Sequence, residues 1–201
     1  MSKRLLRACM FLCLVFFAGT FLVAAQPPAP PSAAGKDVLA YVSDADGDYE
    51  VYTLEMGSSP RQLTTNAISD WYPDWSPDGR QLAFGSGVDG ADYEIVVVDV
   101  NCAQLPGGCA AAAKQLTDND VNDIDPVWSP DGGQLAYVSD EAGIEDIYLM
   151  NASGGLGKPI IDNTVADKDP AWIPDGTGMV FSEKSTTDQD IVLIDFAGEV
   201  R

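Results

Sequence analysis

Histidine is missing from all 201 residues of the chain. Without an imidazole there is no Ser-His-Asp or Cys-His nucleophilic site and no histidine-ligated metal centre. Cations are scarce as well: 11 Lys and Arg face 31 Asp and Glu, a formal net charge of −20. A surface of that sign repels the phosphates of nucleic acids and anionic membranes, so no nucleic-acid partner is expected. Beyond the N-terminal segment the sequence has no helical period. Its glycines stand at turns rather than in a phosphate-cradling loop. Two carboxylates can in principle share the acid and base roles of glycoside hydrolysis, but nothing among so many acids singles out a pair. The chain therefore reads as a non-enzyme with no catalytic residue and no cofactor.

What is present begins with Lys3, Arg4 and Arg7, followed by an apolar run from Ala8 to Val23 and the small residues Ala24 and Ala25. Residues 1–25 read as a secretory signal peptide, which places the protein outside the cytoplasm, periplasmic or secreted. Cleavage is expected after Ala25, leaving no membrane span. The alternative is an uncleaved anchor, since the run approaches the roughly 18 residues that cross a bilayer. Cys9 and Cys13 fall inside this segment without a lipoprotein context, because Phe11 and Leu12 precede Cys13. Residues 26–36, QPPAPPSAAGK, form a Pro/Ala linker, and residues 37–201 form the domain, long enough for one ordinary core.

That domain is written in copies. The stretch DPVWSPDGGQLAYVSD (125–140) returns as YPDWSPDGRQLAFGSG (72–87) and as DPAWIPDGTGMVFSEK (169–184). The marker tryptophans Trp75, Trp128 and Trp172 are 53 and 44 residues apart, and the longer interval holds an insertion, NCAQLPGGCA (101–110). A period of roughly 20 to 50 residues marks a unit that cannot bury its apolar face alone and stacks on its neighbours. In each copy a tight turn is made by Pro77, Asp78 and Gly79, by Pro130, Asp131 and Gly132, or by Pro174, Asp175 and Gly176. Proline presets φ, aspartate tolerates the second position, and glycine takes the positive-φ position.

The turn joins a short P-x-W strand to QLAFGS, QLAYVS or GMVFSE, segments rich in β-branched and aromatic residues. A third strand reads YEVYTL (49–54), YEIVVVD (93–99), DIYLMN (146–151) or DIVLID (190–195), and a fourth reads RQLT (61–64), KQLT (114–117) or KPII (158–161). The predicted fold class is all-β, with β-propeller blades of four antiparallel strands. About four blades are present, tallied as three, four, four and three strands, so the array is incomplete. The three tryptophans are expected at equivalent buried positions between neighbouring blades.

The recurring WSPDG, LAYVSD, DIYLMN and LT elements resemble the TolB-type β-propeller repeat, a relative in style of the WD repeat, from Lys36 to the C-terminus. Two departures stand out: Ile173 replaces the motif serine, and the first unit lacks a Trp strand. The resemblance implies a non-enzymatic exported module that binds a protein or peptide. The rival is the propeller portion of a prolyl-oligopeptidase-like peptidase or a carbohydrate-active enzyme, without its catalytic domain. An open array implies either a truncated piece or self-association of copies to complete a ring.

Turns between second and third strands, and links between blades, should emerge on one face. The turns supply Asp44, Asp46, Asp48, Asp89, Asp92, Glu141 and Glu145; the links supply Asp70, Asp118, Asp120, Asp123, Asp125, Asp162, Asp167 and Asp169. Such a face would draw a basic protein or peptide. Two segments are weak calcium candidates, Asp118, Asp120, Asp123 and Asp125 in one and Asp44, Asp46 and Asp48 in the other, because hard cations want converging carboxylates. Neither has EF-hand spacing, and the expectation is that these acids mainly solvate turns and cap backbone amides. Asp125 and Asp169, with Tyr72 in the equivalent place, are expected to fix the link to the innermost strand. Cys102 and Cys109 flank Pro106, Gly107 and Gly108. Export makes a local disulfide the expectation, of small consequence for stability because the loop is short; the alternative is two unpaired thiols.

Overall fold

The computed structural model describes residues 38–45, 47–87, 92–105, 107–161, 163–184 and 187–196. The expected signal segment and linker, with Asp46, Asp89 and Asp162, lie outside the described residues. No helix among the described residues is long and apolar enough to cross a membrane.

Four antiparallel sheets follow one another along the chain. The first contains β1 (Val38–Ser43), β2 (Glu50–Glu55) and β3 (Arg61–Gln62). The second contains β4 (Ser69–Trp75), β5 (Gln81–Gly87), β6 (Tyr93–Asp99) and β7 (Lys114–Gln115). In the third are β8 (Asp123–Trp128), β9 (Gln134–Ser139), β10 (Asp146–Asn151) and β11 (Lys158–Pro159). The fourth holds β12 (Ala166–Trp172), β13 (Gly178–Lys184) and β14 (Gln189–Asp195). Sheet order equals chain order. Because β4 touches β1 and β8, and β8 touches β12, these strands form the inner edge of the array. The strand tally of three, four, four and three is the one the repeats predict.

Inner strands are longer than the P-x-W pieces, and outer strands shorter than RQLT and KQLT. The outer ladder stops early because a side chain takes over. Val51 N–H donates to Thr64 Oγ1 and Ile95 N–H to Thr117 Oγ1, each at 2.9 Å, so a threonine hydroxyl replaces the next backbone carbonyl. β4, β8 and β12 each carry a bulge, at which Tyr72, Asp125 and Asp169 adopt φ of 55°, 52° and 52°. Non-glycine residues rarely occupy that region, and its repetition at one register position shows that the bulge belongs to the blade design.

The PDG turns form as their residues dictate, with Gly79, Gly132 and Gly176 at φ of 67°, 73° and 75°. Ser76 Oγ donates to Asp78 Oδ1 and Ser129 Oγ to Asp131 Oδ1, each at 2.7 Å. Where Ile173 has no hydroxyl, Thr177 Oγ1 donates to Asp175 Oδ1 instead, at 2.6 Å.

Three apolar clusters fill the spaces between consecutive blades. Val51 and Leu63 meet Leu82, Phe84 and Val98 in the first. Ala83, Ile95 and Val97 meet Leu135, Tyr137, Tyr148 and Met150 in the second. Ala136, Val138 and Ile147 meet Met179, Phe181 and Ile194 in the third. The alternation of strand side chains thus sends successive residues to opposite neighbours, which is why both faces of the inner blades are apolar.

Trp75, Trp128 and Trp172 do hold one register, opposite Leu82, Leu135 and Met179. Their burial is unequal, contrary to expectation: Trp128 is 8% exposed while Trp75 and Trp172 are half-buried. Each ring leans on the preceding blade. For Trp75 that blade is the first sheet, whose order starts at β1 without a P-x-W strand to cover it. Trp172 belongs to the last described sheet; its Nε1 donates to Val127 O at 3.2 Å, and its ring meets Phe196 edge-on at 5.4 Å.

A second correction concerns the insertion after β6. It contains a single 3-10 turn (Cys102–Gln104) and a short helix, α1 (Gly108–Ala112), where no helix was expected. Four consecutive alanines after Cys109 favour helix locally, a signal too short to register as a period.

Candidate functional site

The links between blades carry a repeated hydrogen-bond unit. Between the first two blades, Asn66 N–H donates to Glu50 Oε1 at 2.8 Å and Asn66 Nδ2 donates to Asp70 Oδ2 at 3.0 Å. Between the next two, Asn119 N–H donates to Glu94 Oε1 at 2.8 Å and Asn119 Nδ2 to Asp123 Oδ2 at 2.9 Å. The third link keeps Asn163 Nδ2 to Asp167 Oδ2 at 3.1 Å. In all three the asparagine Oδ1 accepts the N–H two residues on, from Ile68, Val121 and Val165, which is an Asx turn.

Asp70, Asp123 and Asp167 are fully buried, and so is Glu50. These three aspartates also lie inside β4, β8 and β12 rather than in open links. They are therefore not members of an exposed acidic rim, which corrects the expectation for all three. A carboxylate removed from water resists ionisation, and a second one nearby adds to the effect. Burial, reinforced by the charge of Asp70, pushes Glu50 up to about 7. Burial raises Asp167 to about 6, and it raises Asp70 and Asp123 against hydrogen bonds that include those from Ser86 and Ser139. Asn66, Asn119 and Asn163 carry a sequence signal beyond the acids, since each stands nine residues before a marker tryptophan, in phase with the repeat.

A different set of acids lines the inner strands. Asp74 on β4 accepts the Trp128 N–H at 2.8 Å and so ties two inner strands together. Asp125, on the bulge of β8, is pushed up to about 6 by burial and then by the charges of Asp169 and Asp74. Asp169, on the bulge of β12, accepts from Ser182 Oγ at 2.7 Å. Burial also raises Asp74. Tyr72 takes the equivalent bulge position on β4 and is half-exposed. One acid from each of three inner strands thus contributes to a single field, felt most strongly at Asp125. Lys168, the cation next to Asp169, is held by Glu145 Oε2 at 2.5 Å.

The calcium candidates are not brought together. Asp118 and Asp120 are exposed, Asp123 is buried on Asn119, and Asp125 sits on the inner strand. Asp44 is exposed and Asp48 half-buried at the β1–β2 turn. No group of three or more acidic or cysteine side chains that could hold a metal ion occurs among the described residues. Cys102 and Cys109 are joined by a disulfide, with Cys102 buried in the cluster between the first two blades.

Comparison with known proteins fits this geometry. The model of the TolB beta propeller domain family matches residues 29–201. Over 118 residues, 58% of the chain, the sequence is 30% identical to the Tol-Pal system protein TolB of Desulfosudis oleivorans, of which it spans 24%. The putative TolB from Agrobacterium tumefaciens has a similar structure, with a TM-score of 0.70 at 23% identity over 82% of this chain and 60% of that one. TolB from Acinetobacter baumannii gives a TM-score of 0.67 at 20% identity over 83% and 43%. The chain spans less than two thirds of each of these proteins, and the two structural likenesses show the fold.

Proposed function

The chain belongs to the TolB beta propeller domain family, and on that footing we propose that it is an exported, non-enzymatic binding module whose inner acidic surface receives a basic segment of a protein or peptide. The observation that carries the reading is the trio Asp74, Asp125 and Asp169, from β4, β8 and β12, in which burial and then the charges of the other two raise Asp125 to about 6. A lysine or arginine entering there would relieve the repulsion and add charge-assisted hydrogen bonds. The net charge of −20 would steer such a segment inward from a distance. The exposed link acids Asp118 and Asp120 extend the same field outward.

The test is a titration of an unstructured lysine- and arginine-rich peptide, with a neutral peptide of equal length as control. The protein should bind the basic peptide only, more weakly as salt rises. Asp125→Asn combined with Asp169→Asn should weaken binding about tenfold or more, equivalent to ~1.4 kcal/mol. Equal binding by that variant would remove the inner surface as the site.

Self-association is a second reading with its own observation. Leu39, Tyr41, Tyr52 and Leu54 of the first blade stand at the register of Leu135, Tyr137, Tyr148 and Met150, which pack on the second blade. Val180, Ile191 and Leu193 of the last blade match Ala136, Ile147 and Leu149, which pack on the fourth. Leu39 and Ile191 are 60% and 75% exposed. The two end faces are therefore the two halves of an ordinary blade interface. Light scattering of the purified chain should give a multimer; a monomer that buries neither face would refute this.

A further inference from the structure

A half-open pocket of about 260 Å³ lies between the first and second blades. Its inner wall is Leu63, Phe84, Val96 and Val98, and its outer wall is Cys109 and Ala110 of the insertion. The repeats explain why space remains there. Phe84 pairs with Val96 across β5 and β6, and the same register in the next blade pairs Tyr137 with Tyr148. Those two rings, 5.9 Å apart, are buried beside Leu116, the residue equivalent to Leu63. A valine at position 96 therefore leaves out a phenol ring that the neighbouring interface contains. Interiors normally close such gaps, because a void forfeits the contacts of its lining.

Here the gap stays partly open to solvent, and α1 forms one side of it. That helix is part of the one insertion that distinguishes this blade from the third, and the Cys102–Cys109 disulfide ties it to a cysteine buried in the same interface. In a chain so rich in acid, the cavity lining includes no charged side chain. Thr64, Asn66 and Ser86 also line it, with side chains that bond the buried Asp70, while the exposed Thr65 and Gln115 supply neutral hydrogen-bonding groups at its mouth. An apolar cavity of ~150 Å³ already holds benzene, and pockets that bind small molecules combine an apolar lining with a few polar groups.

We propose that this cavity is a binding site for a small neutral aromatic molecule of the phenol class, a ring with one hydroxyl that occupies the place of the missing tyrosine. The ring lies against Phe84 and Val96 beside α1, and the hydroxyl bonds Thr65 or Gln115. None of Asp74, Asp125 and Asp169 lines the pocket, so the proposal does not depend on what binds at those acids.

p-Cresol, the isolated tyrosine side chain, is the probe. It should raise the melting temperature of the full chain in a concentration-dependent way, as a ligand of the folded state does, and should show saturation transfer from the protein in ligand-observed NMR. Val96→Tyr should fill the cavity from within, melt higher than the parent without probe, and lose both responses. If that variant does not fold, Ala110→Leu fills the same space from the outer wall and should lose the same responses. No response of the parent up to the solubility of p-cresol would overturn the proposal. So would responses that persist unchanged in the folded filling variant, since the probe would then be bound elsewhere.

Discussion

Asn119 reaches forward four residues to donate its side-chain amide to Asp123 Oδ2 at 2.9 Å, and Asp123 is wholly buried where one blade hands over to the next. The same reach is made by Asn66 to Asp70 and by Asn163 to Asp167. Asn119→Ala should therefore leave a buried carboxyl short of a donor and cost about 1–3 kcal/mol. Asp120→Asn, one residue along and exposed, should stay within about 0.5 kcal/mol. Urea unfolding of the two variants checks the contrast, and equal losses would mean the pair is incidental.

Stability should fall as pH rises through neutrality. Glu50 lies at about 7 in the fold, and Asp125 and Asp167 at about 6, all above the usual carboxylate range. A raised carboxyl favours the folded state while protonated, so its contribution is complete below the unfolded value and is lost as pH passes the folded one. Melting should be higher at about pH 5 than at about pH 8. Glu50→Gln should flatten the part of that slope nearest neutrality; an unchanged profile would show that Glu50 does not titrate there.

The tryptophans should not be equivalent energetically. Trp128→Ala removes a ring that is 8% exposed and should cost about 3–5 kcal/mol. Trp75→Ala and Trp172→Ala remove half-buried rings and should cost about 1–2 kcal/mol. Reversal of this order in denaturant melts would contradict the packing described for the first sheet.

Salt should stabilise the protein without a preference for calcium. The acids Asp118, Asp120, Asp123 and Asp125 do not converge, so the expected effect is screening, which follows ionic strength as the Debye length shortens to about 10 Å near 0.1 M. Melts in calcium, magnesium and ionic-strength-matched sodium should coincide. Saturation at low calcium alone would reveal a defined site.

Alkylation without reductant should leave Cys102 and Cys109 unlabelled in the purified protein, as their disulfide requires. Labelling of both would show free thiols. Reduction should lower stability by about 2 kcal/mol, the low end for a disulfide, because the closed loop is short.

The blade count, the PDG turns and the strand order were legible because each rests on local chemistry repeated in phase. Proline, aspartate and glycine make their turn whatever lies beyond it, and alternation makes a strand on its own. The Asn–Asp pairs were legible too, at a fixed distance before Trp75, Trp128 and Trp172, yet acids near turns read as solvated ones. Sequence separation does not report desolvation. Asp118 and Asp123 look alike on the page, and only the closing of one blade on the next leaves the first in water and buries the second. The same holds for Val96. As a residue of β6 it is an ordinary strand valine, and it becomes the wall of a pocket only because no ring like that of Tyr148, which fills the equivalent space one blade on, stands in its place. Local periodicity determined the blades, whereas burial, charge state and voids were decided by what each blade meets across its interface.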